Sequence, residues 1–170
     1  MGMDGLGIEE KYSQPKTIKK LSEVYKSYQY FEDNDVIFAK ITPCFENGKL
    51  SIVKGLTNGV GFGSSEFVVL RTHATFQPEF LYYCLLDEVF RNNGAENMSG
   101  AVGHKRVTKE YFSNYTVPTP PLDVQQLISK KFDEVWKNTK SIVSAKHKKI
   151  EELTNLKSAI LKQELQSEAA

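Results

Sequence analysis

The carboxy-terminal quarter of the chain limits the possible folds more than any other feature. From Asp123 to Gln166 there is neither glycine nor proline, the two residues that most readily interrupt a helix. Phe132, Thr139, Lys146, Leu153 and Ile160 recur at one heptad position, and Ile128, Val135, Ile142, Lys149, Leu156 and Gln163 at its partner. This 4-3 seam, apolar at both ends and interrupted by Lys146 and Lys149, predicts one long coiled-coil helix. Its length then matters. At ~1.5 Å per residue the helix is about 66 Å long, whereas a globule of the preceding ~120 residues is roughly 35 Å across. One globule cannot cover such a seam, so the helix is built for a partner. Lys146 and Lys149 oppose parallel in-register pairing, which stacks like charges, while an antiparallel pair can stagger them.

The rest of the 170 residues amounts to about one domain. An apolar content of 40% and a charged content of 25% exclude a disordered chain. Net charge is only +1, from 22 Lys+Arg and 21 Asp+Glu, so an anion-binding surface must come from local segregation of charge. Residues 122–166 hold 9 Lys against 6 Asp+Glu, a local +3. Cys44 and Cys84 lack metal-site spacing, and His73, His104 and His147 are scattered; two buried free thiols in a reducing compartment are expected, with no metal. No apolar run approaches the ~18 residues of a membrane span, and the amino terminus lacks a signal-peptide plan. A cytoplasmic protein with no membrane contact is expected.

Residues 1–30 are polar and weakly patterned, with helical spacing at Ile18, Leu21 and Val24. Glu32-Asp33-Asn34-Asp35 is a turn signal before an apolar strand, Val36 to Thr42. Asn47-Gly48 predicts a hairpin into a second strand, Leu50–Val53. Asn58-Gly59 and the glycines at 61 and 63 read as turns leading to a third strand, Glu66–Arg71, which makes residues 35–71 a meander. A helix is predicted from Pro78 to Phe90, ended by Asn92-Asn93-Gly94. A glycine-punctuated loop from 95 to 107 precedes a short helix opened by Thr108 and a brief strand at Tyr115-Thr116-Val117. Pro118, Pro120 and Pro121 close the globular part.

No catalytic constellation emerges. The serines lack a G-x-S-x-G setting. Gly59-Val60-Gly61-Phe62-Gly63 lacks the Lys-Ser/Thr of a phosphate loop and precedes a strand, where a dinucleotide fingerprint precedes a helix. Thr119-Pro120-Pro121-Leu122 resembles the Asn/Asp-Pro-Pro-aromatic loop of amino-methyltransferases, but Thr119 cannot hold a target amine as an amide does, and Leu122 cannot stack a flipped base. Basic residues are nonetheless clustered. His104-Lys105-Arg106 follows the loop Ser99-Gly100-Ala101-Val102-Gly103; Lys40, Lys49 and Lys54 decorate the first hairpin, and Arg71 ends the third strand. Such groups suit phosphates and base edges, although a solvated loop is the blander reading.

Four stretches together are more specific. Phe31-x-x-x-Asp35-Val36-Ile37-Phe38-Ala39-Lys40-Ile41-Thr42-Pro43-Cys44-Phe45-Glu46-Asn47-Gly48-Lys49 resembles a signature of specificity subunits of Type I restriction-modification systems. Gly61-Phe62-Gly63-Ser64-Ser65-Glu66-Phe67-Val68-Val69-Leu70-Arg71 is similar to the segment that follows in that family. Met98 to Val107 resembles its Gly-x-x-Gly-Gln-x-Arg-Val stretch, with His104 where Gln is usual. Val117-Pro118-Thr119-Pro120-Pro121-Leu122, with Gln125-Gln126 and Ile128, resembles its domain-to-helix junction. The order fits from about residue 3 to 165.

The resemblance implies an α+β chain: a small, β-rich, mixed α/β target recognition domain (1–121, partial), a long spacer and dimerisation helix (122–166) and a tail (167–170). It implies a non-catalytic reader of double-stranded DNA, with no cofactor of its own. Its helix docks adenine-specific methyltransferase subunits that use S-adenosylmethionine, and a translocase-nuclease restriction subunit completes the complex. The family's subunit has two such units with antiparallel helices. Here there is one, and the chain begins inside the expected recognition domain, which leaves a natural half-subunit, a rearranged product or a fragment open. A homodimer mimicking the full subunit follows; the alternative is an assembly module that binds methyltransferase without reading DNA. The DNA-contacting candidates are Lys40, Thr42, Asn47, Lys49, Ser64, Ser65, Arg71, His104, Lys105 and Arg106. Those for helix pairing are Ile128, Phe132, Val135, Ile142, Leu153, Leu156 and Ile160.

Overall fold

Val36–Ala39 is buried at every position, a pattern that demands cover on both faces and pairing on both edges. The computed structural model, which describes residues 1–8 and 10–167, supplies both. The order of elements is β1 (Tyr12–Ser13), α1 (Leu21–Val24), β2 (Gln29–Glu32), β3 (Val36–Ala39), β4 (Leu50–Val53), β5 (Val60–Gly63) and β6 (Phe67–Leu70). Then come α2 (Pro78–Leu86), α3 (Glu88–Glu96), β7 (Met98–Ser99), β8 (Arg106–Val107), α4 (Lys109–Asn114) and α5 (Leu122–Ser167). The chain is a mixed α/β fold with a long carboxy-terminal helix, as expected. It divides into two compact units, residues 1–129 and 130–170, so the division falls inside α5 rather than at its start. Residues 168–170 of the expected tail lie outside the described residues.

The central sheet has the order β1-β4-β3-β6. The expected meander is corrected here: β6 does not follow β4 but pairs with the opposite edge of β3, Val36 facing Leu70 and Ala39 facing Phe67. A strand buried on both faces leaves its N–H and C=O groups no water, so both edges need a partner. Alternate residues then serve two cores. Val36, Phe38, Leu50 and Ile52 pack with Phe45, Tyr82, Leu85, Phe90 and Val107. Ile37, Ala39, Val53 and Phe67 pack with Leu6, Phe31 and Leu56 on the other face.

Other local expectations are also corrected. Gly61 and Gly63 form no turn; they lie in β5, paired with β2 so that Phe31 faces Gly61. A Cβ on Gly61 would strike the Phe31 ring, and one on Gly63 would come 2.7 Å from Phe67, so glycine is there to admit rings. The expected single helix is two, broken at Asp87, whose carboxylate caps α3 by accepting from Val89 N–H at 3.1 Å. That restart carries α3 through Gly94. The helical spacing around Ile18 yields only the single turn α1. Tyr115-Thr116-Val117 pairs with no strand among the described residues. Cys44 and Cys84 are half-buried free thiols rather than buried ones, and burial raises the Cys84 pKa.

In the second unit α5 displays its seam. Phe132, Val135, Ile142, Leu153, Leu156 and Ile160 are 50% to 61% exposed, while Ile128, two turns into the helix, is half-buried in the first unit. Among the described residues no helix is long and apolar enough to cross a membrane.

Candidate nucleic-acid interface

Three segments far apart in sequence meet at the end of β3. Lys40 N–H donates to Glu66 O at 2.9 Å, Val107 N–H to Lys40 O at 2.8 Å and Thr42 N–H to Lys105 O at 2.9 Å; Ile41 bridges Arg106 in antiparallel fashion. The β7–β8 hairpin is thereby laid on residues 40–42, next to the β5–β6 turn. Side chains tighten the join. Lys40 Nζ donates to Ser65 O at 2.9 Å, and Arg106 forks onto Glu66 with Nε–Oε2 2.9 Å and Nη2–Oε1 2.7 Å. Thr42 Oγ1 donates to Glu46 Oε1 at 3.0 Å. Lys40, Thr42, Ser64, Ser65, His104, Lys105 and Arg106 therefore occupy one region. From it projects the exposed loop Ser99–Lys105, with Val102 93% exposed at its tip.

The other three candidates differ in placement: Asn47 and Lys49 lie in the β3–β4 turn, where Lys49 O accepts Ala39 N–H at 3.0 Å, and only Arg71 is distant. Lys49 Nζ donates to Met3 O at 2.7 Å. Asn47 is exposed, its N–H bonded to Pro43 O at 3.0 Å. Arg71 sits beyond the far end of β6, about 17 Å of strand from Glu66. There Nε and Nη2 each reach Asp35 at 2.8 Å, and Nη1 reaches Glu32 at 2.9 Å.

Both arginine forks are thus occupied. Asp35 is 1% exposed and also accepts Glu32 N–H at 2.7 Å, so its charge is compensated by Arg71 and a backbone donor. The bond to Asp35 raises the Arg71 pKa above its ordinary value; the bond to Glu66 does the same for Arg106, and Arg106 in turn lowers that of Glu66. A guanidinium that has given two N–H groups to a carboxylate presents fewer to a guanine edge. Among these candidates, the Lys105 amine has no such carboxylate among the described residues.

These segments can be set beside known proteins. The Type I restriction modification DNA specificity domain matches residues 3–152. The chain belongs to that family. This specificity-domain chain is 39% identical over 119 residues to the Type I restriction enzyme EcoAI specificity subunit of Escherichia coli, and 40% identical over 119 residues to the EcoEI specificity subunit of the same organism. Each alignment covers 69% of this chain and 20% of the relative. In fold it resembles the HsdS subunit from Thermoanaerobacter tengcongensis, with a TM-score of 0.67 at 22% identity over 83% of this chain and 36% of that one. A second structure, described as the structural basis underlying complex assembly and conformational transition of the type I R-M system, gives 0.69 at 18% identity over 94% and 36%. The chain spans a fifth of the length of these curated relatives.

Gln125, named in the sequence only as part of a junction motif, takes a structural role in this specificity domain. It is 1% exposed; its Oε1 accepts Gln77 N–H at 2.8 Å, and Nε2 donates to Thr75 O at 3.0 Å and Pro120 O at 2.8 Å. One amide thus ties the first turn of α5 to the proline segment and to the approach of α2. Asp35 is legible in the sequence only as a turn residue. A carboxylate directly before a fully apolar strand is the available signal that it would be buried and paired.

Proposed function

We propose that this chain is a non-catalytic DNA-reading unit of a Type I restriction-modification system, acting in the cytoplasm on one half of a bipartite duplex target. Residues 1–121 are the reader. The region built from residues 40–42, 64–66 and 98–107 faces the DNA, its loop 99–105 supplying base contacts and Lys40, Lys105 and Arg106 lying toward the backbone. Asn47, Lys49 and Arg71 flank this region, Arg71 holding Asp35 in place. The helix, residues 122–166, pairs with a second copy and docks adenine methyltransferase subunits, to which a restriction subunit adds. What supports the reading is the family match running from the reader into the helix, residues 3–152.

The helix part follows from physical cost. Val135, Ile142, Leu153, Leu156 and Ile160 are each more than half exposed, and apolar side chains gain roughly 1.5–3 kcal/mol each when fully buried. Two identical readers joined in this way would meet two identical, inverted half-sites.

Methylation-site mapping tests the function. Cells carrying the cognate methyltransferase acquire modified adenines within a palindromic, interrupted sequence when this chain is present, and lose them without it. Methyltransferase capture with no sequence-selective methylation would instead mark a module that assembles without reading. Sedimentation tests the pairing: the parent chain is a dimer, and Ile142→Asp with Leu156→Asp is a monomer. A parent that stays monomeric at all workable concentrations removes the two-copy arrangement.

A further inference from the structure

The most concentrated free positive charge on the first unit lies outside the interface described above. Residues 16–30 read Lys-Thr-Ile-Lys-Lys-Leu-Ser-Glu-Val-Tyr-Lys-Ser-Tyr-Gln-Tyr, with four lysines and one acid. Residues 1–121 as a whole hold 13 basic and 14 acidic side chains, so this strip departs sharply from its surroundings. Every residue in it except Val24 is exposed. Its path is nonetheless held: Glu23 N–H bonds Lys20 O, Tyr25 N–H bonds Leu21 O and Tyr28 N–H bonds Val24 O. Val24 anchors it and β2 continues it.

Availability separates these lysines from most other cations of the unit. Arg71, Arg106 and Lys54 are each paired with carboxylates, and Lys40 and Lys49 are bonded to carbonyls. Lys16, Lys19, Lys20 and Lys26 have no carboxylate within ion-pair distance among the described residues. Lys26 Nζ lies 5.5 Å from the centre of the exposed Tyr25 ring. A cation that has not exchanged its hydration for a protein partner is the kind that exchanges it for a phosphate, releasing the counterion held there.

The strip also runs into the candidate interface. The β2–β5 pairing sets Gln29 opposite Gly63, one residue from Ser64 and two from Ser65, the residue whose carbonyl holds Lys40. Met1 O accepts Ser64 N–H at 3.1 Å, and the pKa of the Met1 amino group is lowered by burial first, against the pull of Asp4, and further by the charge of Lys19.

We propose that residues 16–28 are a second, sequence-independent contact with duplex DNA, in which Lys16, Lys19, Lys20 and Lys26 neutralise backbone phosphates flanking the half-site and the Tyr25 and Tyr28 hydroxyls bond the same strand. It rests on the DNA-reading assignment above. The division of labour is the usual one: phosphate contacts add affinity and fix register, while base contacts elsewhere set the sequence.

The test is a salt titration of the full chain on a duplex carrying its selected site and on a scrambled duplex. In K16Q/K19Q/K20Q the slope of log affinity against log salt falls by up to about 2.7, at about 0.9 for each phosphate no longer neutralised, with a weakening of up to about 100-fold near physiological salt. Both duplexes weaken by the same factor, so the preference is unchanged. K16R/K19R/K20R retains slope and affinity, and circular dichroism shows all three proteins equally folded. If the parent binds selectively and the glutamine variant matches it in slope and affinity, the strip proposal falls while the reading stands. A parent without salt-dependent duplex binding overturns both. Loss of binding only to phosphatidylserine vesicles, with duplex binding intact, assigns the strip to a lipid surface and overturns it.

Discussion

Gln125 offers the most exacting test of how the first unit is held together. Gln125→Ala removes one acceptor and two donors from a site 1% exposed. Thr75 is exposed and Pro120 half-exposed, so their carbonyls can recover water, and the two missing bonds cost about 1 kcal/mol each. Gln77 N–H, at 2.8 Å from the amide oxygen, loses its protein acceptor, at about 1–3 kcal/mol. The sum is about 3–5 kcal/mol, or a fall of about 10 °C or more in Tm for a unit of this size. Gln125→Glu keeps the acceptor but sets a carboxylate against two carbonyl oxygens, and destabilises at least as much. Gln126→Ala, at the exposed neighbouring position, stays within about 0.5 kcal/mol of the parent. Urea unfolding followed by far-UV circular dichroism measures all three. A Gln125→Ala midpoint equal to that of Gln126→Ala would show that the three bonds contribute nothing, and the argument from buried polar groups would fail here.

Two further predictions concern packing and charge. Alanine normally stabilises a helix interior over glycine by about 1 kcal/mol, yet Gly94→Ala in α3 is expected to destabilise by about 1–3 kcal/mol. Its Cβ would lie 2.6 Å from Phe45 Cε1, closer still to Cζ, and 3.0 Å from the Tyr111 ring; a rise in the urea midpoint would contradict this. Glu66 has its pKa held below the ordinary 4.5 by the hydrogen bond from Arg106. A depressed folded pKa means that the stabilisation is complete above 4.5 and disappears as pH falls through the lower folded value. The stability gap between the parent and Glu66→Gln, small because the pair is partly exposed, therefore closes as pH falls below 4.5 through the lowered Glu66 value. A gap independent of pH would remove the ion pair from the account.

Much of the site is legible locally. Thr108 reads as the opening of a short helix, and it caps α4 by accepting Tyr111 N–H at 3.3 Å. The stretches that carry the family resemblance include the segments that meet around Lys40, Glu66 and Arg106. The state of those side chains is not legible. Arg71 and Arg106 look alike as exposed cations in a sequence, and only the fold brings Asp35 from 36 positions away and Glu66 from 40 to occupy their forks. The lysines at 16–26 lie beside the helical spacing of Ile18, Leu21 and Val24, which becomes only a single turn, and nothing local shows that no carboxylate among the described residues folds back onto them.

By itself the sequence determined the long helix and its bare seam, because glycine and proline are absent and the apolar period is carried by neighbours three and four residues apart. It determined a buried strand starting at Val36, expected to Thr42 and observed to Ala39, because such patterns are local and each residue needs only its near neighbours to define them. The tertiary structure decided strand order, the use of Gly61 and Gly63 as seats for Phe31 and Phe67, and the passage of α3 through Gly94. Those outcomes depend on which distant surface supplies the second edge of β3 or the ring that fills a missing Cβ. Pairing at long range is settled by packing the whole core at once, and no window of the chain contains that information.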